Sequence, residues 1–509
     1  MSWLFGFGRK PTPQKDPVSG DRVVPLHFFE NSLLVQGNNM AVSLVFNAVL
    51  DAQKLRVSLE ALVKREGWER LGGRLRRNHA SGYIEWHIPS QFTEGTPAIS
   101  FVHVDHGIPA SSHSAASKIP EPKLRQPSVV GDPDTLEGLA WEPGYKPGGI
   151  NDYLTADKDI PVLGLRVNTF TDKTIVTIQW QHVAFDALGL QYVVEAWIAM
   201  LWGRDGEGEI PTPCPIDSDP FDILKTGSLS REPTEEHILK DRRVGWGGLL
   251  KWWLGYGVDM LLRAKENRMV CIPERFWRPQ LDKALQELRE QALEKGDDPG
   301  KVFLTENDIL TACILRWTVA EMQSSPDRTV AASIAMSLRK AFEGSLIPPS
   351  TSNPYIGNAF GWANVLVTAG EITTKPLSWL AAQIRRAINE QGTRAQHEAY
   401  YFLVRGSGTG LPIVIFGDGG MAQVGFSNWA KAGLFDLDFA PARVDVDQSV
   451  TSGPCRPCYV QENHGPVKPA DGFFILGKDE GGNYFASACK VKGQWAKFEE
   501  VLKKEVENL

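Results

Sequence analysis

Of the ten histidines in this 509-residue chain, one stands where general-base chemistry would want it: His182, which opens the run His182-Val183-Ala184-Phe185-Asp186. An imidazole takes a proton from a hydroxyl near neutral pH better than any other side chain, and a positioned base contributes on the order of 10²–10⁴ in rate. The HxxxD spacing carries little weight alone, since about half a chance match is expected at ordinary aspartate frequency. Its surroundings carry more. Val176, Ile178 and Trp180 alternate along Thr174 to Gln181, so this segment reads as a strand, and a period of two sets His182 on the same apolar face. A turn with Gly189 follows, then a helix on Val193, Val194, Trp197 and Leu201 that Gly203 ends. Partial desolvation at such a strand end lowers an imidazole's pKa and keeps it neutral. The same position also suits a core histidine satisfied by backbone, and the residues alone leave both readings open.

Other patterns carry less chemistry. Asp186 is spaced to orient the imidazole as the carboxylate of a triad does. Gly406-Ser-Gly408-Thr-Gly410 has the glycines of a phosphate loop but no Lys-Ser/Thr, so it reads as a plain loop. His103-Val-Asp105-His106 lacks further ligands and reads as surface histidines. Cys455-Arg-Pro-Cys458 is a single CxxC, better read as a turn on Gly453, Pro454 and Pro457 than as a metal or redox site.

The elements that must position His182 are legible from periodicity. Leu55, Leu59, Leu62 and Val63 predict a helix that Gly67 ends, and residues 68–75 turn into a strand. Pro, Gly and Ser mark 109–149 as a long surface loop. Leu163, Leu165 and Val167 predict a strand hairpinned to 174–181 through Thr171-Asp172-Lys173. Prolines 211, 213, 215 and 220 mark an irregular crossing, so the expected units are 1–204, a 205–270 crossover and 271–509. Thr305 and Asp308 predict a helix start, and the chain closes with a hairpin at Gly481-Gly482-Asn483 and a helix on Trp495, Phe498 and Leu502.

Composition bounds the function. With 42% hydrophobic and 23% charged residues the chain reads as an ordinary globular protein, and a net charge of -7 argues against nucleic acid as the main partner. Six scattered cysteines fit a reducing, cytoplasmic setting. The first nine residues are too short and Gly-rich for a signal-peptide core. Trp246 to Leu262 is apolar but interrupted by Lys251 and Asp259, so a helix on the protein's own surface is expected, with an interfacial membrane contact as the alternative.

In this order, several segments resemble the BAHD-type acyltransferases, especially their divergent fungal members, along nearly the whole chain. Gly72-Gly73-Arg74-Leu75 is similar to the family's GGRL-like turn, and His182 to Asp186 with the Trp197 helix resembles its HxxxDG block. Thr305 to Asp308 and Trp317 resemble its Ser/Thr-x-x-Asp helix, and Ser337-Leu338-Arg339 lies where it has Asp-x-Arg. Tyr355-Ile-Gly357-Asn358 matches YxGN, while Ser427-Asn428-Trp429 and Phe435-Asp-Leu-Asp438-Phe439 resemble the Ser-Ser-Trp and DFGWG blocks. Two positions depart: Ala187 replaces a glycine, and Ala440-Pro441-Ala442 replaces Gly-Trp-Gly.

The resemblance implies an α/β fold of two similar-sized chloramphenicol-acetyltransferase-like domains, each a mixed sheet flanked by helices, with a channel between them. It implies an enzyme, a monomer, that moves an acyl group, acetyl foremost, from acyl-CoA to a hydroxyl or amine of a small secondary metabolite, without a metal. His182 would be the base, with the Trp429 N–H and the Ser427 hydroxyl stabilising the oxyanion; a partly buried strand-end core aromatic is the plainer reading of Trp429. Asp186 would pair with Arg339, and these two, with Asp438, would hold architecture. Thr305 and Lys301 would meet a CoA phosphate at the helix N-terminus, unless Thr305 only caps, and Gly357 and Asn358 would line the pantetheine arm. A same-fold enzyme that has lost CoA and promotes a His-assisted cyclisation, and a non-catalytic binding scaffold, are the alternatives.

Overall fold

The strand that ends at His182 is the middle one of a five-stranded mixed sheet. In this computed structural model, which describes residues 20–121, 125–155, 159–206, 208–226, 233–406, 414–444 and 453–507, the sheet runs in the order Tyr459–Pro466, Asn38–Phe46, Thr174–Gln181, Leu163–Thr169, Ser100–Asp105. Only the last pair is parallel. All nine residues of Asn38–Phe46 are buried, as expected of a strand covered on both faces. Helices Ala52–Val63 and Ala187–Leu201 cover one side, joined where the buried Trp197 indole donates to Ser58 Oγ at 2.9 Å.

A seven-stranded mixed sheet carries the later residues: Phe360–Thr368, Thr329–Ser337, Ala422–Asn428, Gly472–Lys478, Tyr484–Val491, Lys265–Ile272, Ser128–Gly131. Val330, Ala332, Val424 and Phe473 bury against Leu281, Trp317, Ile384 and Phe498 from four helices, and together they make a second core. A small antiparallel sheet of Arg22–Pro25, Ile84–Ile88 and Arg74–Arg77 completes the strands of the described residues.

Each large sheet takes an edge strand from the far part of the chain. Ser128–Gly131 pairs with Lys265–Ile272, and Tyr459–Pro466 pairs with Asn38–Phe46. The expectation of a surface loop across 109–149 is therefore corrected: this stretch is a strap with a strand and short helical turns. Four residues are too few for alternation to show in the sequence. Trp246 to Leu262 is helical, with a π turn at Trp253–Gly257. Leu249 and Trp252 pack inward on Val244, Ala331 and Met421, while Trp246, Leu250 and Leu254 stay exposed. Among the described residues no helix is long and apolar enough to cross a membrane.

Candidate active site

His182 is held by its backbone rather than by its ring. Its N–H donates to the Asn38 carbonyl at 3.1 Å, and its own carbonyl accepts from the Asn358 amide at 2.8 Å. The same Asn358 amide reaches the Val183 carbonyl at 3.2 Å, while Gln181 Oε1 accepts from Val183 N at 2.6 Å. Trp180 stacks on Phe185 at 4.9 Å and donates its indole N–H to the Phe185 carbonyl at 3.1 Å. The turn is thus fixed on all sides. The imidazole itself is partly exposed, 6.4 Å from the Phe360 ring, and its Nδ1 is buried with no hydrogen-bond partner among the described residues. Burial holds its pKa below the ordinary histidine value; the charge of Asp186 pulls the other way, and a second histidine, His464, adds to the lowering. A neutral, partly desolvated imidazole is what proton abstraction needs.

Asp186 does not orient that ring. It caps the following helix, accepting from Leu188 N at 3.1 Å and Gly189 N at 2.9 Å. Its two oxygens also take the Arg339 guanidinium at 2.9 and 3.0 Å, and Ala359 N donates to it at 2.9 Å. Burial disfavours its charge, yet Arg339 and the backbone donors hold its pKa below the usual carboxylate value. The triad-like option is thereby removed, because no acceptor capacity faces the imidazole. Arg339 also donates to the Tyr355 and Gly357 carbonyls at 2.8 and 2.5 Å, tying the 355–359 loop to the His182 turn. Gly189 is needed for that closeness, since a Cβ there would stand 2.2 Å from the Ile356 oxygen. Ala187 costs nothing by contrast, as it is the first residue of an ordinary helix.

Ser427 and Trp429 end a strand of the larger sheet, and the Trp429 ring lies 6.3 Å from Trp180. The Trp429 N–H donates to Ser427 Oγ at 2.9 Å. The indole N–H is thus engaged by its neighbour, and the Ser427 hydroxyl proton is left to donate elsewhere. Asp438 sits elsewhere: its Oδ1 accepts from Ala440 N at 3.0 Å and Cys455 N at 2.7 Å, closing a turn rather than facing His182.

Of the four residues expected to meet CoA, three are committed otherwise. Thr305 caps helix Glu306–Met322 in a capping box with Asp308, and Arg385 binds both side chains, reaching Thr305 Oγ1 at 2.8 Å. Asn358 is fully buried on the His182 turn, and the buried Gly357 gives its carbonyl to Arg339. Lys301 remains exposed in the single turn Pro299–Lys301. The expected loop at Gly406 to Gly410 lies, beyond Gly406, outside the described residues. His103 bonds Thr169 Oγ1 at 3.0 Å, and His106 stacks on Phe170 at 4.4 Å. Cys455 and Cys458 are free thiols, and no metal-holding cluster occurs among the described residues.

Sequence reasoning passed over Asn358 as a clamp, Arg385, and the pair Glu462 and His464. The last two alternate on one strand, and that period of two was the signal available.

A strand-end imidazole pinned between two mixed sheets, with an ion pair behind it, defines a group-transfer scaffold. Residues 264–446 match the Transferase family. The chain is 32% identical over 99% of its length, and 99% of the relative's, to "Transcriptional regulator calD" of Penicillium decumbens. It is 32% identical over 98% of its length, and 99% of the relative's, to "Acetyltransferase adrJ" of Penicillium rubens. An "O-acetyltransferase PaAT-2" of Phomopsis amygdali is 31% identical over 96% of this chain and 99% of its own. Among solved structures, TRI101 of F. sporotrichioides, complexed with coenzyme A and T-2, superimposes with TM-score 0.63 at 17% identity, covering 95% of this chain and 98% of that one. Vinorine synthase gives 0.59 at 14%, covering 97% and 96%. The chain belongs to the Transferase family, as a BAHD-type acyltransferase of the fungal kind.

Proposed function

We propose that the protein transfers an acetyl group from acetyl-CoA to a hydroxyl of a lipophilic secondary metabolite, with His182 as the base. The observation that carries this is His182 itself: partly exposed, its pKa lowered by burial, and seated on a turn that Asn358 holds through the His182 carbonyl. Attack of an alcohol on a thioester needs one base within hydrogen-bond reach and no enzyme nucleophile. The proton leaves the acceptor oxygen for His182 as the C–O bond forms. As the tetrahedral intermediate collapses, the C–S bond breaks and the proton passes to the departing thiolate. The Ser427 hydroxyl, held at 2.9 Å by the Trp429 N–H, is the donor we assign to the oxyanion. Lys301 is the cation we assign to a CoA phosphate. Acetyl as donor follows the names of the adrJ and PaAT-2 relatives, and the lipophilic acceptor follows the half-buried Phe360 ring beside His182. The test is mass-spectrometric: acetyl-, propionyl-, butyryl- and octanoyl-CoA are each incubated with a panel of hydroxylated terpenoids and polyketides. An acetylated product formed by wild type and lost in His182→Ala is the expected result. CoA binding without any product, or product that persists in the variant, would end this reading.

A further inference from the structure

His464 lies two strands from His182 on the same sheet. Register places His464 opposite Met40, and Met40 opposite Trp180, so His464 shares a face with Trp180 and hence with His182. At about 4.8 Å between strands and about 3.4 Å per residue, the two Cα atoms stand roughly 12 Å apart. The histidines also feel one another electrostatically.

The surroundings of His464 are specific. Its side chain is 4% exposed, and Nδ1 bonds directly to Oε1 of Glu462, which is fully buried. The other oxygen of Glu462 accepts from the Ser487 hydroxyl at 3.0 Å. The chain runs serine–carboxylate–imidazole, so Ser487 is not a nucleophile activated by this histidine. The Glu462 oxygen faces Nδ1, so Nε2 is the ring nitrogen left to meet another group. That Nε2 is buried with no partner among the described residues, an arrangement that is unfavourable unless something fills it. Phe474 packs on the imidazole at 4.9 Å and on Trp429 at 6.2 Å, which sets His464 beside the aromatic layer that reaches Trp180.

Resting on the acyl-transfer reading above, we propose that His464 Nε2 is a binding site for a second hydroxyl or N–H of the acceptor, positioned by Glu462. The acceptor class follows: a rigid diol, polyol or amino-alcohol with an apolar body, one hydroxyl at His182 and another donor roughly 12 Å away, the separation of the two histidines. A mono-ol of the same skeleton would reach the base but leave Nε2 unpaired.

The acceptor that wild type acetylates in the panel assay is the probe, beside its derivative methylated at the remote hydroxyl. His464→Phe should raise KM for the acceptor at least about 10-fold and leave KM for acetyl-CoA unchanged. His464→Gln, which keeps an acceptor oxygen, should recover part of that loss. In wild type the methylated derivative should show the raised KM, and in His464→Phe methylation should make little further difference. An acceptor KM unmoved in a folded His464→Phe, or a raised KM for acetyl-CoA instead, overturns the proposal. Nitrogen-15 histidine NMR on the full wild-type chain decides the matter even if a variant does not fold or no acceptor is turned over. A protonated Nε2 at neutral pH overturns the acceptor role, and an Nδ1-protonated tautomer supports it. Loss of all product in wild type would strike the transfer reading, not this tautomer.

Discussion

His182 and His464 stand on one face of one sheet, each with a carboxylate close by in sequence, and the two carboxylates behave oppositely. Asp186, four residues past His182, turns away to cap a helix and pair with Arg339. Glu462, two residues before His464, points along the same face and bonds its ring. Local geometry makes the difference. Across a strand-to-helix turn the fourth residue falls at the N-cap, where backbone N–H groups claim it, whereas residues i and i+2 of a strand share a face. The spacing that looks like an acid–base couple is architecture, and the couple in contact carried no motif.

Replacing His182 breaks the comparison most sharply. His182→Ala should lower turnover at least about 10²-fold, the usual scale for a positioned base. CoA affinity by calorimetry and the melting temperature should stay near wild type, because the turn is held by backbone contacts from Asn38 and Asn358. Near-normal turnover would demote His182 to a core residue and leave His464 as the other imidazole of that face.

The Asp186–Arg339 pair should matter to stability in a way the His182 ring does not. Both side chains are buried, so removing either leaves an unpaired charge at a cost of about 3–5 kcal/mol. Asp186→Ala and Arg339→Ala should each lower the denaturation midpoint, and the double variant should cost less than the sum. Additive losses would mean that the two do not interact and would return Asp186 to His182.

Acid should separate the same two groups. The pKa of His182 is lowered in the folded protein, so the unfolded chain binds its proton first as pH falls. Its contribution to stability is present above about 6.5 and is lost below it, through the lowered folded value. The acid limb of kcat/KM should accordingly lie below 6.5. The lowered Asp186 acts further down: its stabilisation is present above the ordinary carboxylate value and is lost as pH drops through the folded one. An acid limb above 6.5 would show that the base is not a desolvated imidazole.

These contrasts also mark what the chain discloses before it folds. The 174–181 strand and the 187–201 helix were legible because long periodic segments bury one face. The Thr305 capping box was legible from spacing alone, but its partner Arg385 was not, because it arrives from another helix. Asn358 could be matched to a motif, yet its work on the His182 carbonyl depends on a loop with no period. Glu462 and His464 alternate visibly, but only strand pairing shows that they share a sheet with His182.

The smallest effect is expected where the chain departs most from its relatives. Ala440–Ala442 forms a single tight turn, and its bonds run to the early part of the chain. The Pro441 carbonyl accepts from Lys54 Nζ at 2.5 Å, and the Ala442 carbonyl accepts from Asp51 N at 2.7 Å. Phe439 is fully buried against Phe46 and Trp197, at 4.8 and 5.3 Å. Asp51 and Lys54 open helix Ala52–Val63, Trp197 lies on the neighbouring helix, and Phe46 pairs with Thr174, at the end of the strand pair far from His182. A segment that only props helix Ala52–Val63 can exchange Gly-Trp-Gly for Ala-Pro-Ala as a repacking, and Pro441 is partly exposed, so a larger ring there has room. The triple variant Ala440→Gly, Pro441→Trp, Ala442→Gly should therefore bind CoA as wild type does. It should lose about 0.4–1 kcal/mol of stability per backbone-loosening change, since glycine and non-proline residues enlarge the unfolded ensemble. Calorimetry with CoA and a thermal melt read both quantities. CoA binding gained only in the triple variant would reverse the assignment, because the turn would then shape the donor site and the wild type would have abandoned CoA.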